Sequence, residues 1–171
     1  MRPNKLLHWL PIFCFMSLSH QAEAVFQVRF LGGVLEESRS SGKSIQKGTL
    51  FKTVISNGEN LRLTGSFTYS QSTFDTITIL QGEVGFGFYF YPHHNEPVPF
   101  IQPFFHAEAV GIFGTKEDTS NLDPKRKIYG GAANIGVGMD INFSRSFGLL
   151  IGAEVHNFKQ HRIIVGFLQG Y

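Results

Sequence analysis

The chain has 171 residues, with 15 Lys+Arg, 13 Asp+Glu and one cysteine. That length suits a single domain. The near balance of charge argues against a dedicated nucleic-acid binder, which carries a basic excess on one face, and a lone cysteine excludes a disulfide scaffold.

Residues 1–24 read as a secretory signal peptide. Arg2 and Lys5 form a positive start, Leu6 to Leu18 an apolar run, and Ala22-Glu23-Ala24 a small-x-small cleavage site before Val25. The run falls short of the ~20 apolar residues that span a bilayer as a helix. Cys14 lies inside this leader, and Phe13 ahead of it is not the small residue a lipoprotein signal needs. The remaining domain, 25–171, then keeps 13 Lys+Arg (less Arg2 and Lys5) against 12 Asp+Glu (less Glu23) and has no cysteine. Its stability must come from elsewhere, and the hydrogen-bond ladder of a closed barrel supplies it.

Strand one spans about 25–34, where Phe26, Val28 and Phe30 alternate with Gln27 and Arg29. A polar loop runs from Glu36 to Lys47. Strand two, about 49–56, gives a poor signal, because Leu50, Phe51, Val54 and Ile55 do not alternate. Asn57-Gly58 predicts a type I′ hairpin turn. Strand three, about 60–70, sets Leu61, Leu63, Phe67 and Tyr69 against Arg62, Thr64, Ser66 and Thr68. A short link, Gln71 to Asp75, leads to strand four, about 76–91. There Val84, Phe86, Phe88 and Phe90 share one face, opposite Glu83, Gly85, Gly87 and Tyr89, which is period-2 alternation.

A Pro-rich connection ends at Pro99. Strand five, about 99–113, has Gln102, His106 and Glu108 opposite Ile101, Phe105, Ala107 and Ala109. Pro103 predicts a bulge, since it cannot donate to the ladder. Thr115 to Lys127 reads as the longest loop. Strand six, about 128–143, alternates most cleanly, and Ser144-Arg145-Ser146 turns the chain. Strands seven (about 147–156) and eight (about 162–171) follow.

Eight short strands joined by turns, with no helix between them, predict an all-β fold: an eight-stranded antiparallel up-and-down transmembrane β-barrel. Closure removes the edges an open sheet would expose. Connections one–two and five–six read as long and two–three and six–seven as tight, with three–four and four–five breaking the contrast; this places extracellular loops near 36–48, 71–75, 114–127 and 157–161.

The whole span 25–171 resembles the small eight-stranded outer-membrane barrels of Gram-negative bacteria, of the OmpX, Ail and OmpA-transmembrane type. The last strand carries part of the likeness: Ile163, Val165 and Phe167 share a face with the terminal Tyr171. The resemblance implies that these residues form the signal read by the barrel-assembly machinery. Tyr171 and Gln169 depart from the usual terminal pattern. The resemblance also implies outer-membrane lipids and lipopolysaccharide as surroundings, after secretion across the inner membrane.

The face opposite the apolar one collects Arg29, Arg62, Glu83, Gln102, His106, Glu108, Asn134, Asp140, Glu154, His156 and Arg162. Buried charges must be paired, so an interior polar network is expected on structural grounds, with a proton path or narrow pore as the functional counterpart. His106-x-Glu108 and Glu154-x-His156 set acid and base on one face, as general acid–base chemistry needs. No serine lies beside either histidine on these strands. His93-His94 point apart on an extended chain and chelate poorly; a solvated turn explains them. Lys125-Arg126-Lys127 suit the phosphates of lipopolysaccharide, or form an ordinary solvated loop. The glycines 85, 87, 136 and 138 precede no helix, so they read as relief of crowding rather than phosphate loops.

The expectation is a structural or adhesive outer-membrane barrel with a packed polar interior and no wide pore. It would bind a host or envelope protein through 36–48 and 114–127, and need neither cofactor nor metal. A lipid-modifying enzyme using the two acid–histidine pairs is the first alternative. A secreted lipocalin-like ligand binder is the second, and it would carry its charges outside.

Overall fold

The computed structural model describes residues 26–38, 45–92, 99–120, 125–144 and 146–170. The leader with its cleavage site, His93-His94, Asp123-Pro124 and Tyr171 fall outside them.

Eight strands follow one another: β1 (Phe26–Ser38), β2 (Ile45–Asn57), β3 (Leu61–Phe74), β4 (Ile77–Phe90), β5 (Ile101–Asp118), β6 (Lys125–Asn142), β7 (Phe147–His156) and β8 (Gln160–Gly170). Each pairs antiparallel with the next, and β1 also pairs with β8, so the sheet closes. Both ends of the described chain, at Phe26 and Gly170, lie at one end of the barrel, called here the terminal end. The strand ends Ser38 and Ile45, Phe74 and Ile77, Asp118 and Lys125, and His156 and Gln160 lie at the other, the loop end.

The register shows how the rim is shaped. A path across the strands from Ile135 passes Val155, His161, Glu36, Lys47, Thr73, Thr78 and Glu117, and arrives at Lys125. It has returned to β6 ten residues further up the same strand. A closed sheet must stagger in this way, and its strands then tilt by about 35–45°. The loop-end rim therefore climbs around the barrel from β7 to β6, and the whole climb is recovered in one step between those two strands.

The faces sort by alternation. Phe86, Val137 and Ile151 point outward at 56%, 51% and 43% exposure, whereas Glu83 and Glu154 point inward at 1% and 2%. A water-soluble barrel would show the reverse, because an apolar wall this extensive costs solubility; the lipocalin-like alternative falls on this point. Near the terminal end, Phe100, Phe143, Phe147 and Phe167 form a row of neighbouring rings 6.0–6.1 Å apart. Such aromatic bands sit at membrane interfaces. Further up the wall, the Phe113 ring lies over Gly82, where an added Cβ would come within 2.4 Å of it. An aromatic side chain here covers the bare backbone of its neighbour.

Several strand limits differ from the sequence reading. β1 and β2 continue through Glu36–Ser38 and Ile45–Lys47, β5 through Asp118, and β6 starts at Lys125. The expected loops 36–48 and 114–127 therefore shrink to 39–44 and 119–124, and the link 71–75 to two residues, with Asp75 at φ 51°. Polar residues on both faces erase the hydrophobic alternation there, but the backbone ladder does not depend on it. The longest gap between successive described strands is instead the ten residues between Phe90 and Ile101.

Pro103 makes no bulge; the β5–β6 register runs unbroken through Pro103 and Met139. The Asn142 amide donates to the Phe100 carbonyl at 2.7 Å, so even-numbered residues of β5 bond toward β6. The Pro103 nitrogen faces the other edge, where pairing with β4 has already ended at Phe105, and no hydrogen bond is lost. The expected type I′ turn is absent at Asn57-Gly58, where only Gly58 has a positive φ (124°). It falls at Asn157-Phe158 instead (φ 50° and 58°), closed by the Lys159 amide on the His156 carbonyl at 3.1 Å.

Candidate functional site

Alternation brings the inward charges together in three groups, the last two of them linked. The first, near the terminal end, holds Arg29, Asp140, Tyr91, Gln27 and Arg62. Arg29 donates to Asp140 at 2.9 Å and to Gln27 at 2.7 Å, and also to the Tyr91 hydroxyl. Tyr91 donates to Asp140 at 2.8 Å, and Arg62 donates to Gln27 at 2.7 Å. The Arg29 guanidinium also stacks 4.3 Å above the Tyr89 ring, a cation–π contact.

The second group centres on Lys52, which the irregular pattern of strand two concealed. Its ammonium donates to Glu108 at 2.9 Å and to Glu154 at 3.0 Å. Glu108 also accepts from Asn134 at 2.8 Å and from the Ser66 hydroxyl. Glu154 accepts from His106 Nε2 at 3.1 Å. In the third group Arg162 donates to Glu83 at 3.0 Å and to Glu154 at 3.1 Å, which joins it to the second. His156 Nδ1 stands 2.7 Å from Asn134 Oδ1. The Asn134 amide nitrogen already faces Glu108, so its oxygen faces the histidine, which is the donor.

Gln102 is buried as well. Among the described residues the interior holds four cations (Arg29, Lys52, Arg62, Arg162) and four carboxylates (Glu83, Glu108, Asp140, Glu154). Three of the four cations are paired directly with carboxylates: Arg29 with Asp140, Lys52 with Glu108 and Glu154, and Arg162 with Glu83 and Glu154. The interior is not uniformly polar. Leu31, Leu35, Leu50, Val54, Tyr89, Tyr91, Phe104, Leu150 and Ile164 form a buried apolar cluster inside the barrel.

The interior glycines make room for these groups. A Cβ at Gly85 would lie 2.5 Å from Glu108 Oε1, and one at Gly136 would lie 2.3 Å from the His106 ring and 2.6 Å from the Ala153 carbonyl. Gly136→Ala is therefore expected to push His106 off Glu154 and to lower stability by about 1–3 kcal/mol. A urea titration of the refolded barrel reads this directly, and an unchanged midpoint would count against the packing described.

Two features weigh against catalysis by the acid–histidine pairs. Ser66 meets Glu108, not a histidine. His106 and His156 are only 3% and 6% exposed.

At the loop end, Lys125, Arg126 and Lys127 are not in a loop. They begin β6 and pair with Glu117, Lys116 and Thr115; Lys125 stands 3.6 Å from Glu117 in an exposed ion pair. All three are exposed. β6 has no β7 partner above Asn134. The last bond across that seam runs from the Asn157 amide to the Ala133 carbonyl at 2.8 Å. Odd-numbered residues of β6 thus point their backbone groups toward β7. Above the seam Lys127, Tyr129 and Gly131 present theirs at an edge that no described strand covers. At ~3.3 Å per residue and a tilt of about 35–45°, this edge rises roughly 20 Å above the β7–β8 hairpin.

No protein-family model and no curated protein sequence matches the chain. Solved structures do. Neisserial surface protein A superposes with a TM-score of 0.69 at 11% identity, over 85% of this chain and 97% of the other. The N-terminal β-barrel domain of OprF from Pseudomonas aeruginosa gives 0.60 at 12%, over 86% and 97%. The fold is that of the eight-stranded outer-membrane barrels. Ail, the attachment invasion locus protein of Yersinia pestis, is similar at 0.50 and 14% identity, over 86% and 96%. At these identities the likeness speaks for the architecture of this barrel alone. Ile163, Val165 and Phe167 all face outward on its last strand.

Proposed function

We propose that the chain is a surface-binding outer-membrane barrel whose loop end faces outward and whose interior is a plug rather than a pore. The single observation that carries the binding role is the upper edge of β6, which no described strand covers. An exposed strand edge is a template for pairing with another chain. Natural proteins cover such edges or keep them short, and this one rises above the described β7–β8 hairpin. Lys125 and Lys127 stand at the upper end of this edge, so the partner is an extended acidic segment of another protein. The basic run that could meet lipopolysaccharide phosphates would, on this reading, select that segment. Support for the plug comes from the balanced interior charges and the apolar cluster among them. The outer-membrane setting is supported by the apolar wall and by the architecture shared with the three solved barrels.

Tyr129→Pro isolates the edge. The Tyr129 amide points away from β5, so proline there removes a free donor and leaves the β5–β6 ladder whole. Cells displaying the barrel are expected to adhere to a surface coated with an extended Glu-rich peptide. Adherence should be lost in Tyr129→Pro and in Lys125→Glu/Lys127→Glu, while the folded band on an unboiled gel persists. Adherence unchanged in both variants would sink the edge as the binding element.

A further inference from the structure

The outer wall carries a groove of about 480 Å³ across β4 to β8. Two adjacent cross-strand rows build it. The upper row runs from Phe88 through Ala107, Ile135 and Val155 to His161; the lower includes Phe105, Val137, Ala153 and Ile163. Ala107 and Ala153 are the small side chains that make a depression between larger neighbours. Four interstrand steps at about 4.8 Å separate Phe88 from His161, a length of roughly 19 Å.

The groove ends at the boundary between two chemistries. Along the upper row every outward residue from Phe88 to Val155 is apolar. From His161 onward the same row continues as Glu36, Lys47, Thr73 and Thr78. His161 is exposed and lines the groove's upper end. Lys159, also exposed, sits in the turn two residues above it. Glu36 is the carboxylate beside His161, and Lys47 on the next strand faces it in turn. The local balance is cationic.

We propose that this groove holds one acyl chain of a phosphate-bearing lipid from the leaflet nearest the loop end, with the phosphate at His161 and Lys159. The location decides the occupant. An apolar depression inside the membrane belt meets hydrocarbon, and the Lys159 ammonium and His161 imidazole stand where the chain leaves the belt for the headgroup layer. The site is independent of the β6 edge and would persist if that edge bound nothing.

Native mass spectrometry of the full refolded barrel in detergent tests this with phosphatidic acid and phosphatidylcholine of equal chain length. One phosphatidic acid per barrel is expected to remain bound. Ala153→Phe, which fills the groove, should weaken retention at least about tenfold. Lys159→Ala/His161→Ala should abolish the preference over phosphatidylcholine. Ala133→Phe, outward but outside the groove, should change nothing. If Ala153→Phe gives no folded band, Ala107→Phe fills the other end and is read in the same way. Equal retention in the filled and control variants would overturn the groove. A preference for phosphatidic acid that survives the double substitution would overturn the headgroup assignment.

Discussion

Glu154→Leu is expected to lower the stability of the barrel by on the order of 3–5 kcal/mol, the cost of breaking a buried ion pair from one side. The position is exceptional because Glu154 is where two groups of the interior network meet. It accepts from Lys52 at 3.0 Å, from His106 at 3.1 Å and from Arg162 at 3.1 Å. Its removal leaves Glu108 as the one carboxylate on Lys52, and Glu83 as the one carboxylate on Arg162 beside the Gln160 amide oxygen, with no spare carboxylate among the described residues. Urea midpoints of the refolded protein measure the loss. The double variant Lys52→Met/Glu154→Leu should recover part of it, because it removes a charge together with its partner, and the double-mutant cycle gives the coupling. A loss under about 1 kcal/mol, typical of an exposed pair, would show that water reaches the network freely.

The second large effect lies on the other face. Ile151 is outward, midway along β7, and pairs with Met139 and Val165 in the apolar belt. Ile151→Arg is expected to cost roughly 2–4 kcal/mol, as for arginine near the bilayer midplane. Thr73→Arg, on the polar part of the rim, should cost no more than about 1 kcal/mol. Folding into lipid vesicles, followed by the shift between boiled and unboiled bands, reads both. Equal tolerance at the two positions would mean that no hydrocarbon contacts the wall at Ile151.

The residues differ in how plainly they announced these roles. β7 spans Phe147–His156, the limits its alternation indicates, because every outward residue there is apolar and the inward side carries Glu154 and His156 among glycines and Leu150. Lys52 was hidden because its strand mixes the two kinds of inward residue. Leu50, Val54 and Ser56 point inward beside it, while Phe51 and Ile55 point out. An eight-stranded barrel packs aliphatic and ionised side chains in the same interior, so apolar character marks the outward face but does not exclude the inward one. Leu31, Leu150, Ile164 and Leu168, all inward, follow the same logic.

By itself the sequence determined that there are eight strands, which face of most of them is greasy, and that acids, arginines and histidines share the opposite face. Those facts are local, since side chains two apart on an extended backbone point the same way whatever the strand pairs with. Only the tertiary structure decided which charges meet, that Lys52 joins Glu108 to Glu154, and that the basic run begins a strand with one edge no described strand covers. Those depend on register and on the ten-residue stagger at closure. Both are properties of the whole closed sheet, which no single strand contains.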